Sequence, residues 1–188
     1  MGKQLQWDVY HIENYLLDSQ YIALALNEML SPSTNFNAKL VERHLCAAAE
    51  KTKHSLIEHE IRKLVNEKLT GCLNFQIDPS RTDSAAALRE AIDRSVNRIN
   101  TAANTDYALE KLIEHEHNIA LRLQGDLEGG NWRRTFKGRD ILKEFTRTHG
   151  KGVRYQHFRN LLVARMKADG HQPEGMKRVI GTVFNTVV

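Results

Sequence analysis

Residues 131–188 read NWRRTFKGRD ILKEFTRTHG KGVRYQHFRN LLVARMKADG HQPEGMKRVI GTVFNTVV, and three helix-length amphipathic segments in this stretch decide the fold class. Trp132, Phe136, Ile141, Leu142 and Phe145 anchor the first segment, which His149-Gly-Lys-Gly152 stops. The second runs from about Arg154 to Lys167 and buries Tyr155, Phe158, Leu161, Leu162 and Met166. Gly170-His-Gln-Pro173 is a turn, with proline well placed ahead of a last helix. In that helix Met176, Val179, Ile180, Val183, Phe184 and Val187 recur at helical spacing, the cleanest periodicity in the chain.

The same stretch is set apart by charge. Of the 27 Lys and Arg, 13 lie between Arg133 and Arg178, against the four acids Asp140, Glu144, Asp169 and Glu174. The first 130 residues hold 14 basic and 19 acidic residues, so the net charges are about +9 and −5 and sum to +4. A basic helical module beside an acidic helical body is the footprint of a protein that touches nucleic acid with one end.

Working outward, a first helix is expected from about Asp8, as N-cap, to Leu30, where Ser31-Pro32-Ser33 ends it. A second starts near Asn37 and continues to Leu69, with Gly71 as its punctuation. At 1.5 Å per residue it would be roughly 50 Å long, so it either breaks near Thr52 or forms an arm pairing with another helix or another subunit, and the arm is favoured. Leu73, Phe75 and Ile77 alternate with Asn74, Gln76 and Asp78, the pattern of a half-buried strand or an extended connection that Pro79 closes. Thr82-Asp83-Ser84 has the look of a cap, for a helix with the stripe Leu88, Ile92, Val96, Ile99 and Ala103. A break at Asn104-Thr105 leads into a second stripe of Leu109, Leu112, Ile113, Ile119, Ala120 and Leu123, making an αα-hairpin. Gly125 and Gly129-Gly130 mark the expected boundary between a body, 1–128, and a module, 131–188.

The class is therefore all-α: an acidic helical bundle or hairpin body followed by a small basic trihelical, helix-turn-helix-like module. In such modules two helices brace a third that enters the major groove. The inward stripe of the last helix leaves Lys177, Arg178, Gly181, Thr182 and Asn185 outward, and arginine and asparagine suit base edges. Arg133, Arg134, Lys137, Lys151, Arg154 and Arg159 are the accompanying candidates for phosphates. Trp132 and Phe136, interleaved with Arg133, Arg134 and Lys137, either stack on a base or plug the junction between the two parts; the plug is favoured.

Other chemistries find less support. Glu114 and His117 supply one Glu-x-x-His unit where a di-iron bundle needs two. His54 with Glu58 is a bare pair, and His115-Glu-His117 lies on a helix. No metal or other cofactor is expected. There is no phosphate-binding glycine loop, dinucleotide fingerprint or nucleophile elbow, and Gly150-Lys151-Gly152 is too short to cradle phosphates. No apolar run approaches the ~20 residues of a membrane span. The start MGKQLQWDVY lacks a signal-peptide layout and has Gln6 where a myristoylation signal wants Ser or Thr. Two cysteines, Cys46 and Cys72, are too few for a disulfide framework and suit a reducing, cytoplasmic compartment.

The expectation is a non-enzymatic, homodimeric factor that binds DNA in preference to RNA. Its make-up suits phage or plasmid accessory proteins. The alternative is a protein-interaction factor or inhibitor that docks its basic end on an acidic partner, and a metal-dependent helical enzyme is a weaker third.

Overall fold

The computed structural model describes residues 9–30, 35–78, 80 and 82–185, the last three without their side chains. It is all-helical among these residues. After a 3-10 helix at Ile12–Leu16 come α1 (Ser19–Met29), α2 (Ala38–Cys72), α3 (Ser84–Thr105) and α4 (Leu109–Glu128). The short α5 (Trp132–Thr135), then α6 (Gly138–His149), α7 (Tyr155–Ala168) and α8 (Glu174–Asn185), follow.

Two compact units result. One joins the residues up to His54 with those from Leu123 onward, and the other is Ser55–Arg122. The expected boundary at 128–131 lies inside the first unit. In that unit α6 packs on the 3-10 helix and on α7, and α7 packs on α1. Its core is aromatic and aliphatic: Ile22, Leu26, Val41, Leu45, Leu123, Phe136, Ile141, Leu142, Phe145, Phe158 and Leu162 are fully buried. Trp132 and Phe136 are buried, as the plug reading requires.

The single first helix expected over residues 8–30 is instead broken at Leu17-Asp18. Asp18 is the cap, accepting from the amides of Gln20 at 2.9 Å and Tyr21 at 3.2 Å. A carboxylate there satisfies amides that the helix itself leaves unpaired and suits the positive end of its dipole. Asp8, the expected cap, lies outside the described residues. The long second helix is continuous over 35 residues. Asn37 opens it, its side chain accepting from the Leu40 amide at 2.8 Å.

In the second unit, residues 73–78 form no strand. The Asn74 amide donates to the Ser95 hydroxyl at 3.0 Å, and that hydroxyl donates to the Ala91 carbonyl at 2.9 Å. The extended connection is thus tied to α3, which removes the need for a partner strand. The α3–α4 turn falls at 106–108, just beyond the expected Asn104-Thr105, and is tied to α2 by Lys68–Asp106 at 3.0 Å.

In α8 the inward stripe is only partly inward. Val179 is buried, but Ile180 is 41 % exposed. A cleft of about 460 Å³, lined by Ile12, Leu16, Val163, Met166 and Met176, lies beside the start of this helix. The side chains of Val183 and Phe184, and the whole of Val187, lie outside the described residues.

Candidate nucleic-acid interface

The N-terminal segment builds the site from below. Asn14 is buried, and its side-chain amide donates to the carbonyls of Arg133 at 2.8 Å and Phe136 at 2.6 Å. Its Oδ1 accepts from the Gly138 amide at 3.0 Å. The Tyr10 amide adds a bond to the Arg134 carbonyl at 2.6 Å. Position 138 must be glycine: a Cβ would stand 2.6 Å from the Asn14 nitrogen and 2.7 Å from its Cα. These bonds fix the start of α6 against residues 124 positions away.

Glu13 sits beside Asn14 with its side chain only 8 % exposed, while Arg139, 3.1 Å away on α6, is 50 % exposed. The Tyr155 hydroxyl donates to Glu13 at 2.7 Å, and Arg159 of α7 and His11 approach at 3.7 and 3.1 Å. Burial pushes the Glu13 carboxyl up, but the Tyr155 hydroxyl and Arg139 outweigh it and hold the group below the usual range. Burial, reinforced by the bond to Glu13, pushes the Tyr155 phenol up to about 12.

A similar arrangement recurs two turns along α6. Glu144 is 15 % exposed and accepts from Nε and Nη2 of Arg147, both at 2.8 Å, while Arg147 itself is 72 % exposed. Lys51 of α2 reaches the same carboxylate at 3.3 Å. The Arg147 hydrogen bonds, working against burial, bring the Glu144 pKa to about 2. Between the two clusters the exposed Lys143 ammonium stands 5.9 Å from the Tyr155 ring centroid. Arg139, Lys143 and Arg147 are spaced four apart and so share one helix face. Asp140, in the first turn, is half-buried.

The α6–α7 turn adds Lys151 and Arg154, both exposed. Lys151 has φ 45° and Gly152 φ 90°. The left-handed pair turns the chain sharply enough to bring α7 back over α6. Behind the turn, His149 stacks on His44 of α2, with ring centroids 4.0 Å apart and facing Nδ1 atoms at 3.2 Å.

No family model, curated protein or solved structure matches this chain.

The sequence-read candidates divide. Lys151, Arg154 and Arg159 belong to the α6–α7 surface. Arg133 does not: it donates to Glu42 and to Ser19 and lies 5.3 Å from the Trp132 ring centroid, pinning α5 to α1 and α2. Arg134 is exposed and Lys137 half-buried, both ahead of α6. On α8, Lys177 pairs with Glu174 at 3.1 Å, and Arg178 and Thr182 are exposed. The Thr182 hydroxyl donates to the Arg178 carbonyl at 2.8 Å. The side chain of Asn185 lies outside the described residues. Sequence reading missed Lys51, Arg139, Lys143 and Arg147. The i, i+4 spacing of the last three was the available signal.

Proposed function

We propose that the protein is a stoichiometric nucleic-acid-binding factor, acting on duplex DNA in preference to RNA. Phosphates engage the face made by α6, the 150–154 turn and the start of α7. One observation carries this reading: along that face Glu13 and Glu144 are sunk beneath cations that stand outward, with Asp140 half-buried beside them. Glu13 is 8 % and Glu144 15 % exposed, beneath Arg139 at 50 % and Arg147 at 72 %. Two acids anchor four cations, Arg139, Arg159, Arg147 and Lys51, while Lys143, Lys151 and Arg154 add charge alongside. The first unit carries 18 basic and 12 acidic residues and the second 9 and 11, so the positive charge is concentrated where this face lies.

Such a surface addresses backbone phosphates, which set affinity and register without reading sequence. In this reading base edges fall to the exposed Arg178 and Thr182 of α8, whose arginine suits guanine. The active species is a homodimer that presents two such faces. Fluorescence anisotropy with labelled duplex DNA, at low and moderate salt, tests the proposal. Salt-sensitive binding that Lys151→Ala with Arg154→Ala weakens is the expected result. Retention of an acidic protein by the same face, without DNA binding, contradicts it.

A further inference from the structure

The second unit is built with its apolar residues in an unusual order of size. Its buried positions on α3 are small, Ala87, Ala91, Ser95 and Ala102. Leu88, Ile92 and Val96, on the same helix, are exposed. The adjoining connection repeats the pattern with exposed Leu73, Phe75 and Ile77. A helix that turns alanines inward and leucine, isoleucine and valine outward has its larger packing surface on the outside.

We propose that this surface is the seam of a homodimer, closed by α3 of a second copy lying antiparallel to the first. This deepens the dimer in the reading above and does not depend on nucleic acid. The seam residues Ala85, Leu88, Ile92, Val96, Ile99 and Ala103 follow the three-and-four spacing that one helix presents to another. They are also close to size-symmetric about position 94: alanine at 85 and 103 and isoleucine and valine at 92 and 96 centre on it, and leucine and isoleucine at 88 and 99 fall half a residue off. A two-fold interface requires each patch to complement itself, and an antiparallel seam of this order does so. Ile92 then meets Val96 of the other copy, and Leu88 meets its Ile99. The charge beside the seam is already neutralised within one chain, because Arg89 pairs with Asp93 at 3.0 Å.

The area is of the right order. The six large residues at 73, 75, 77, 88, 92 and 96 are 36–52 % exposed. Taking the ~150–250 Å² of an aromatic side chain for Phe75 and values near its lower end for the aliphatic ones, they present about 450 Å² per copy. That lies within the range of the largest patch on a typical monomer, about 300–600 Å², which is often functional. Two copies bury about 900 Å² of these side chains alone, and the flanking polar residues carry the total toward the ~1,200 Å² of the smaller stable interfaces.

The test is sedimentation of the full chain and two charge variants, each checked for helicity by circular dichroism. The wild-type protein is expected to sediment as a dimer, and Ile92→Asp and Val96→Lys each as a monomer. Mixing the two variants is expected to restore a dimer, because the geometry sets Asp at 92 against Lys at 96 of the other copy. A monomeric wild-type chain overturns both the dimer and its seam. A wild-type dimer that both variants retain overturns the seam alone. Should either variant fail to fold, amide exchange of the wild-type chain at low and high concentration decides instead. Protection gained with concentration over 85–103 and 73–77 supports the seam, whereas protection gained elsewhere or nowhere rejects it.

Discussion

Two residues at the junction of the first unit both make it acid-sensitive, in different pH windows. Glu144 is held at about pKa 2 against an ordinary value of 4.5. A depressed carboxylate contributes stability above its unfolded value and loses it as the pH falls, here between about 4.5 and 2. Urea midpoints measured at pH 7 and pH 3 should therefore differ more in the wild type than in Glu144→Gln. His149 works in a higher window. Burial, with His44 and Lys51 nearby, lowers its pKa from 6.5. The folded state thus resists a proton that the unfolded chain accepts, and stability falls as the pH drops through and below 6.5. His149→Gln should flatten that part of the profile. Gly138→Ala should cost ~1–3 kcal/mol in denaturant unfolding, because its new methyl meets the backbone of Asn14 and not a yielding side chain.

At the scale of elements, the helices were legible wherever periodicity and capping agreed. The long α2, the α3–α4 hairpin and the succession α6, α7, α8 follow from stripes such as Met176 and Val179 and from turn residues such as Gly170 and Pro173. The break after Leu16 was not legible, since Ile12, Leu16, Ala23 and Leu26 keep helical spacing straight through it. What divides it is tertiary: Glu13 and Asn14 are buried against α6 and α7, which sequence spacing cannot reveal. The candidate surface was half legible for the same reason. Basic residues could be counted, but which of them pair inward depends on partners more than a hundred positions away, as between Arg139 and Glu13. The two helical surfaces separate by mutation. Lys151→Ala with Arg154→Ala should reduce the slope of log K against log salt by about 2, since each lost phosphate contact accounts for ~0.9. Arg178→Ala should leave folding within ~0.5 kcal/mol and cost ~1–3 kcal/mol of binding at one base position.

For the whole molecule, residues 131–188 draw on the N-terminal segment for their folding. Asn14 closes the turn into α6, Glu13 joins α6 to α7, and α1 covers α7. A fragment of 131–188 alone should show little cooperative unfolding by circular dichroism, and adding residues 1–54 in trans should recover helicity. Charge on the α6–α7 face is the central claim, and the salt dependence of duplex binding by the full chain tests it most directly. With five cations engaged, Arg139, Lys143, Arg147, Lys151 and Arg154, log K should fall against log salt with a slope of about −4.5. A slope near zero, or no binding to any duplex at low salt, contradicts it.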